Sequence, residues 1–227
     1  MKKVKFISLS AFLFIHIILY ILIYGFKLFD VNTENLIDYF IIISCLLFSF
    51  INLIIKKNKY TLIFFIAILF TLIADTFLLL LDKNYEIGVL AFLIVQICYF
   101  LYILIKMYSK NTYILHILTR LLTLLIGIIA CLFVDKEDML ISFLCITYIS
   151  NLILNIIISL TTKNKNILFT IGLIMFLLCD ICVGFSNLNS IFEISTSSFI
   201  YLIATSSINW SWVFYHPSQV LLVITEY

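Results

Sequence analysis

Residues 61–81 read TLIFFIAILFTLIADTFLLLL, an apolar run that contains one acidic residue, Asp75. A helix needs about 20 apolar residues to cross a bilayer, so this run predicts a transmembrane helix. A charged residue at such a depth costs roughly 2.5–3.5 kcal/mol on insertion scales. A second acid, Asp180, lies inside a comparable apolar run at 167–186. Two such acids predict a functional site inside the membrane.

The composition of the chain supports a membrane protein throughout. Of its 227 residues, 64% are hydrophobic and 11% are charged, whereas a soluble domain is about 45–50% apolar and about 25% charged. One proline and five glycines leave no Pro/Gly-rich linker, so a single membrane-embedded domain over 1–227 is predicted. The net charge of +2 comes with lysines in short loops, which indicates topology and no nucleic-acid partner.

The apolar runs predict an all-α, multi-pass bundle of about eight transmembrane helices. Lysines in the successive polar segments number three, one, three, one, two, one, two and none. By the positive-inside rule, this alternation predicts a cytoplasmic N-terminus and a cytoplasmic C-terminus. The basic start resembles a signal peptide, but its apolar run is too long, so we expect an uncleaved first helix. The predicted spans are 6–26, 37–55, 61–81, 87–105, 113–134, 139–160, 167–186 and 208–225.

The start of the last span has two interpretations. The first is a single helix over 198–225. We prefer a start near Ile208, with 198–207 as an interfacial or partly inserted segment and with Trp210 and Trp212 in the outer aromatic belt. Pro217 inside that helix is expected to free a backbone carbonyl.

The polar residues of the spans fall at a similar depth and on helical stripes. At about 1.5 Å per residue, Asp75 and Asp180 each lie about 9 Å from the outer end of a span. Polar stripes face other helices or water rather than lipid, so a pocket in the outer half of the membrane is predicted. The three stripes are Gly88, Phe92, Gln96, Tyr99 and Ile103; Asn209, Trp212, His216 and Gln219; and Asp180, Gly184 and Asn187.

Other polar residues of the spans are interpreted as structural. Asn151 and Asn155 are expected to form hydrogen bonds between helices. His16 is expected to pack on its neighbours. Arg120 is expected to extend to the cytoplasmic interface, where its charge meets water.

No metal or cofactor is predicted. The three histidines are expected at unrelated depths, which gives no ligand set. Cys179 and Cys182 form a C-x-x-C pair; a zinc or redox site is one interpretation, and small packing residues of a membrane helix are the favoured one.

Four motifs then occur in a fixed order along the chain: Leu72-Ile-Ala-Asp75-Thr-Phe-Leu-Leu, Gly88-x-x-x-Phe92-x-x-x-Gln96-x-x-Tyr99, Gly172-x-x-x-Phe176-x-x-x-Asp180 followed by Asn187, and Tyr215-His-Pro-Ser-Gln219. This order resembles the YhhN-like lysoplasmalogenase family of multi-pass membrane proteins. Ala74 stands where that family usually has glycine. Gln96 stands where it usually has histidine, so this position cannot titrate.

The resemblance implies hydrolysis of the vinyl ether bond of lysoplasmalogens. The products are a fatty aldehyde and a glycerophospho head group. Asp75 and Asp180 would be the catalytic acids, because this reaction needs one protonated acid and one carboxylate and because a buried carboxyl group keeps its proton more readily. The residues implied to position water and the polar part of the lysophospholipid are Gln96, Tyr99, Asn187, Tyr215 and Gln219.

Two other classes of function stay open on the sequence alone. Buried acids also suit a proton-coupled carrier or a non-catalytic lipid-binding protein. A structural or regulatory membrane protein is the third interpretation. The abundance of Ile, Lys and Asn is typical of an AT-rich bacterial genome, so we expect the bacterial inner or plasma membrane.

Overall fold

The computed structural model describes residues 2–26, 31–107, 113–133, 135–136, 138–162, 164–191, 195–206 and 208–227. Every regular element within these ranges is a helix, which confirms the predicted all-α class. The helices are α1 (Lys2–Tyr20), α2 (Val31–Lys56), α3 (Lys59–Asp75), α4 (Tyr85–Tyr102), α5 (Tyr113–Cys131), α6 (Met139–Thr161), α7 (Ile167–Ile191), α8 (Phe199–Ala204) and α9 (Trp210–Ile224).

Three of these helices continue into a π-helical turn, namely α1, α3 and α4. The turns are Ile21–Gly25, Thr76–Leu80 and Ile103–Met107. The turn after α3 begins directly after Asp75. Such wider turns are frequent at functional sites, so the turn marks Asp75 as a candidate functional residue.

The structure describes six helices that are long and apolar enough to cross a membrane. These spans are Ile7–Gly25, Leu36–Lys56, Lys59–Leu80, Tyr85–Lys106, Met139–Thr161 and Ile167–Leu188. Helix α5 contributes a shorter apolar segment, His116–Cys131, and α9 has 15 residues. The protein is therefore a multi-pass membrane protein, whereas the count of eight spans stays a prediction.

Helix α9 begins at Trp210, and the separate short helix α8 precedes it. The structure therefore confirms that the last helix starts near residue 208, and one continuous helix over 198–225 is not formed. Pro217 inside α9 has no N–H for the carbonyl of Val213 one turn earlier. The hydroxyl of Tyr20 on α1 donates to that carbonyl at 3.1 Å. A neighbouring helix therefore satisfies the group that the proline leaves free.

Helices α7 and α9 approach each other closely at Gly172. A Cβ atom at this position would lie 2.9 Å from Cγ of Leu222 and 3.4 Å from its backbone nitrogen. The hydroxyl of Ser218 donates to the carbonyl of Gly172 at 2.9 Å. Small residues allow this kind of contact between membrane helices, so Gly172 fixes the spacing of α7 and α9.

Replacing Gly172 with alanine is expected to destabilise the protein by about 1–3 kcal/mol, because the added methyl group overpacks the contact with Leu222. Thermal unfolding of the purified protein in detergent measures the change. Gly184→Ala on the same helix is the matched control, since a Cβ there meets no other heavy atom within 4 Å. Equal melting temperatures for the two variants would show that the close approach is unimportant.

One end of the bundle brings both chain termini together. The carboxylate of Glu226 accepts a hydrogen bond from Tyr102 at 2.6 Å and pairs with the ammonium of Lys106. The backbone carbonyl of Glu226 accepts from Lys56 and, at 3.1 Å, from Asn52. The hydroxyl groups of Tyr227 and Ser8 also share a hydrogen bond. The start of α1 and the end of α9 therefore lie at the same, lysine-rich end.

Candidate functional site

The carboxyl group of Asp75 is held by a tyrosine from another helix. Asp75 is the last residue of α3 and is 2% exposed. The hydroxyl of Tyr215 on α9 lies 2.8 and 3.0 Å from its two oxygens and donates to them. A buried carboxyl group without such a donor is costly, so Tyr215 both satisfies and orients Asp75.

Asp180 on α7 has a matching arrangement. The hydroxyl of Tyr148 on α6 donates to Oδ2 of Asp180 at 2.6 Å. Asp180 is partly exposed, in contrast to the fully buried Asp75. Sequence reasoning did not select Tyr148, although it lies on one helical stripe with Asn151 and Asn155. That stripe was the signal by which it could have been found.

Two phenylalanines join the two tyrosine–aspartate pairs. The ring centroid of Phe92 lies 5.7 Å from that of Tyr148 and 6.5 Å from that of Tyr215. The ring centroid of Phe176 lies 6.4 Å and 5.5 Å from the same two. Both phenylalanines belong to the glycine-containing motifs of α4 and α7.

The two tyrosine–aspartate pairs therefore meet around the same two phenylalanine rings. We call Asp75, Asp180, Tyr148, Tyr215, Phe92 and Phe176 the aspartate site. It assembles residues of α3, α4, α6, α7 and α9, and the two predicted acids lie in it together.

Gln96 takes part in a separate polar network between α4 and α6. Its side-chain oxygen and its backbone carbonyl both accept from Nδ2 of Asn155 at 3.0 Å. Asn155 in turn accepts from Arg120 at 2.6 Å, and Asn151 accepts from the same guanidinium group. The predicted interhelical role of the two asparagines is confirmed.

The predicted direction of Arg120 is wrong. The guanidinium group turns inward, and its central carbon lies 3.7 Å from the ring centroid of Phe100. The two asparagine oxygens and the aromatic face replace the water that the cationic group would find at the interface. A charged residue can thus remain inside the bundle when polar partners lie on the facing helix.

The other residues implied to bind substrate lie in different settings. Tyr99 is fully buried, and its ring packs between those of Phe64 and Phe169 at 5.8 and 5.6 Å. Gln219 is fully buried on α9, one turn beyond Tyr215. Asn187 lies on the exposed last part of α7. Among the five, Tyr215 contacts an aspartate directly.

Several buried polar atoms near these helices have no hydrogen-bond partner among the described residues. Among them are Nε2 of Gln96, the hydroxyl of Tyr99 and both amide atoms of Gln219. Buried polar groups normally have a partner, from protein or water. A buried water molecule would supply the hydrogen bonds that these atoms lack.

Two histidines that the sequence placed at unrelated depths are in direct contact, so that prediction is wrong. Nδ1 of His16 on α1 lies 2.9 Å from Nε2 of His216 on α9. Nε2 of His16 lies 2.9 Å from the hydroxyl of Ser44, which donates to the carbonyl of Ile41 at 2.7 Å. The two rings therefore share one hydrogen bond, in which one ring nitrogen donates and the other accepts.

A further buried acid, Asp38, was not selected from the sequence. It lies near the start of α2, is 1% exposed, and accepts a hydrogen bond from the hydroxyl of Tyr24 at 2.5 Å. Asp38 is the second residue of the predicted span 37–55, and this position was the signal by which it could have been found. The rings of Tyr24 and His216 are 6.3 Å apart, so Asp38 belongs to the layer formed by α1, α2 and α9.

Comparison with known protein families assigns most of the chain. The family model described as the YhhN family matches residues 37–224. No curated protein and no solved structure matches the chain. The matched segment includes every residue of the aspartate site, while α1 precedes it. Because the match covers most of the chain, this protein belongs to the YhhN family.

Proposed function

We propose that this protein is a lysoplasmalogenase-like ether hydrolase that acts through Asp75 and Asp180. The observation that carries the proposal is the aspartate site, in which two tyrosine–aspartate pairs meet around Phe92 and Phe176. Membership of the YhhN family supports it. So does the presence of two acids within apolar helices, because such residues are costly to insert in a membrane and usually mark functional sites.

The chemistry assigns a different task to each carboxyl group. A protonated carboxyl group gives its proton to the β-carbon of the vinyl ether, and the α-carbon becomes part of an oxocarbenium ion. The other carboxyl group, as the carboxylate, stabilises this cation and orients the water that attacks it. The resulting hemiacetal breaks its carbon–oxygen bond to give a fatty aldehyde and a glycerophospho head group, and the proton returns to the site.

The surrounding residues support these steps. The hydroxyl groups of Tyr148 and Tyr215 hold the two carboxyl groups in fixed orientations. The rings of Phe92 and Phe176 present electron-rich faces to a developing cation. Gln219 and Tyr99 have unpaired polar atoms for water or for the glycerol linker. No cofactor or metal enters the mechanism.

The proposal includes a location for the site. With eight spans and both termini in the cytoplasm, as the lysine alternation predicts, the aspartate site lies in the outer half of a bacterial cell membrane. A single aliphatic chain of the substrate would then remain among the apolar side chains of the bundle. The lysophospholipid would enter from the membrane.

The test is an aldehyde-release assay with the purified full-length protein. Incubation with a 1-alkenyl lysophospholipid is expected to release free aldehyde, whereas the saturated 1-alkyl analogue, which has no vinyl ether to protonate, is expected to release none. The two lipids share head group and chain, so they differ only in the reactive bond. Absence of aldehyde from the 1-alkenyl substrate would contradict the proposed activity.

A non-catalytic lipid-binding function is the second candidate. It is favoured by Gln96, which cannot titrate and whose Nε2 is unpaired in the interior. A protein of this kind would bind the 1-alkenyl and 1-alkyl lipids equally and release aldehyde from neither. A proton-coupled carrier would also release none, but would move protons across liposome membranes. The same preparation therefore separates the three functions.

A further inference from the structure

An open cavity of about 540 Å³ lies at the lysine-rich end of the bundle, between the end of α4 and the start of α7. Its volume is within the range of about 300–1,000 Å³ that is typical of small-molecule sites. Asp75 lies at the opposite end of α3 from this region, so the cavity is distinct from the aspartate site. We call it the basic cavity.

The lining of the basic cavity includes two lysines from separate parts of the chain, Lys106 beyond α4 and Lys165 before α7. Lys106 is paired with the carboxylate of Glu226. Lys165 is exposed and forms no ion pair with any residue that the structure describes. Asn164 also lines the cavity. The cavity therefore combines hydrogen-bond donors with a positive charge that Glu226 compensates only in part.

The lining also includes apolar side chains of a membrane-spanning segment. Ile167 and Leu168 line the cavity at the start of α7, and they are 68% and 41% exposed. Both lie in the candidate span Ile167–Leu188. A soluble anion would not use these side chains. An amphipathic anion, with its charge at the lysines and its hydrocarbon along α7, would contact both kinds of side chain.

We propose that the basic cavity binds the phosphate head group of an anionic phospholipid. Lys165, with Lys106, would contact the phosphate, and an acyl chain would lie along Ile167 and Leu168. Basic pockets between transmembrane helices on the cytoplasmic side are suited to such head groups. The positive-inside rule assigns the lysine-rich end, and hence the bound lipid, to the cytoplasmic leaflet. The proposal does not depend on the chemistry at Asp75 and Asp180.

The test titrates the full-length protein, purified in a neutral detergent, with short-chain phosphatidylglycerol, and follows the bound lipid by native mass spectrometry. Lys165→Gln is expected to weaken binding by about three- to tenfold, the effect of about 0.7–1.4 kcal/mol. Lys165→Arg keeps the charge and is expected to retain binding. Lys57→Gln is the matched control, because Lys57 lies at the same end and outside the cavity.

Phosphatidylcholine and inorganic phosphate are the two comparison ligands, and neither is expected to displace phosphatidylglycerol at equal concentration. Equal weakening by Lys57→Gln and Lys165→Gln would overturn the proposal in favour of diffuse surface charge. Equal binding of phosphatidylcholine would overturn it in favour of non-specific lipid contact. Displacement by inorganic phosphate would identify a site for soluble phosphate instead.

Discussion

Asp75→Asn and Asp180→Asn are each expected to lower aldehyde release from a lysoplasmalogen by about 10²- to 10⁴-fold, the usual contribution of a positioned acid or base. Asparagine has nearly the same shape as aspartate but can neither donate a proton to carbon nor stabilise a cation by its charge. The effect should be large at both positions, because the mechanism uses one group as acid and the other as carboxylate.

The two asparagine variants should remain folded. The amide oxygen of asparagine can still accept the hydrogen bond that Tyr215 or Tyr148 donates. Size-exclusion chromatography and thermal unfolding in detergent check this point beside the aldehyde assay. Asp82→Asn is the control, since Asp82 is an exposed acid in the turn between α3 and α4 with a φ of 49°, which asparagine tolerates. Near-normal activity in either site variant would refute the proposed acid pair.

Tyr148→Phe and Tyr215→Phe are the second pair of variants with large expected effects. Each removes one hydroxyl group and leaves the shape of the ring, so the carboxyl group of Asp180 or Asp75 loses its tyrosine donor. A buried polar group left without its partner costs about 1–3 kcal/mol. If the loss falls on the transition state, kcat/KM decreases by roughly 5- to 150-fold.

The chain contains a matched control for these tyrosine variants. Tyr85 donates to Oδ1 of Asp82 at 2.6 Å, in the same kind of contact but at an exposed position. Tyr85→Phe removes the same hydroxyl group where water can replace it, and it is expected to leave kcat/KM unchanged. A similar loss in all three variants would show that the effect is not specific to the aspartate site.

The helices of this protein follow closely from hydropathy. Seven of the predicted spans overlap α1–α7, because a bilayer imposes one length on every spanning segment. The two acids were predictable for a related reason, since a charge inside an apolar run is conspicuous in sequence. Both properties depend on residues close together in the chain.

The direction in which each helix faces was less predictable. Arg120 was expected at the membrane interface, but its partners Asn151 and Asn155 lie on a different helix. Tyr148 and Asp38 were not selected from the sequence. A tyrosine within a span is common, and so is an acid near the end of a span, until the neighbouring residue in the structure is known. Rotation of a helix about its axis depends on contacts between distant segments, which a single sequence does not specify.

The hydrogen bond between His16 and His216 has an evolutionary consequence. The tautomer of each imidazole depends on the other, because one ring nitrogen can donate only if its partner accepts. A change at one position should therefore be accompanied by a change at the other among descendants of a common ancestor. His16 lies outside the segment 37–224 that marks the family, and His216 lies inside it. Covariation across that boundary would show that α1 has evolved as part of the same protein core.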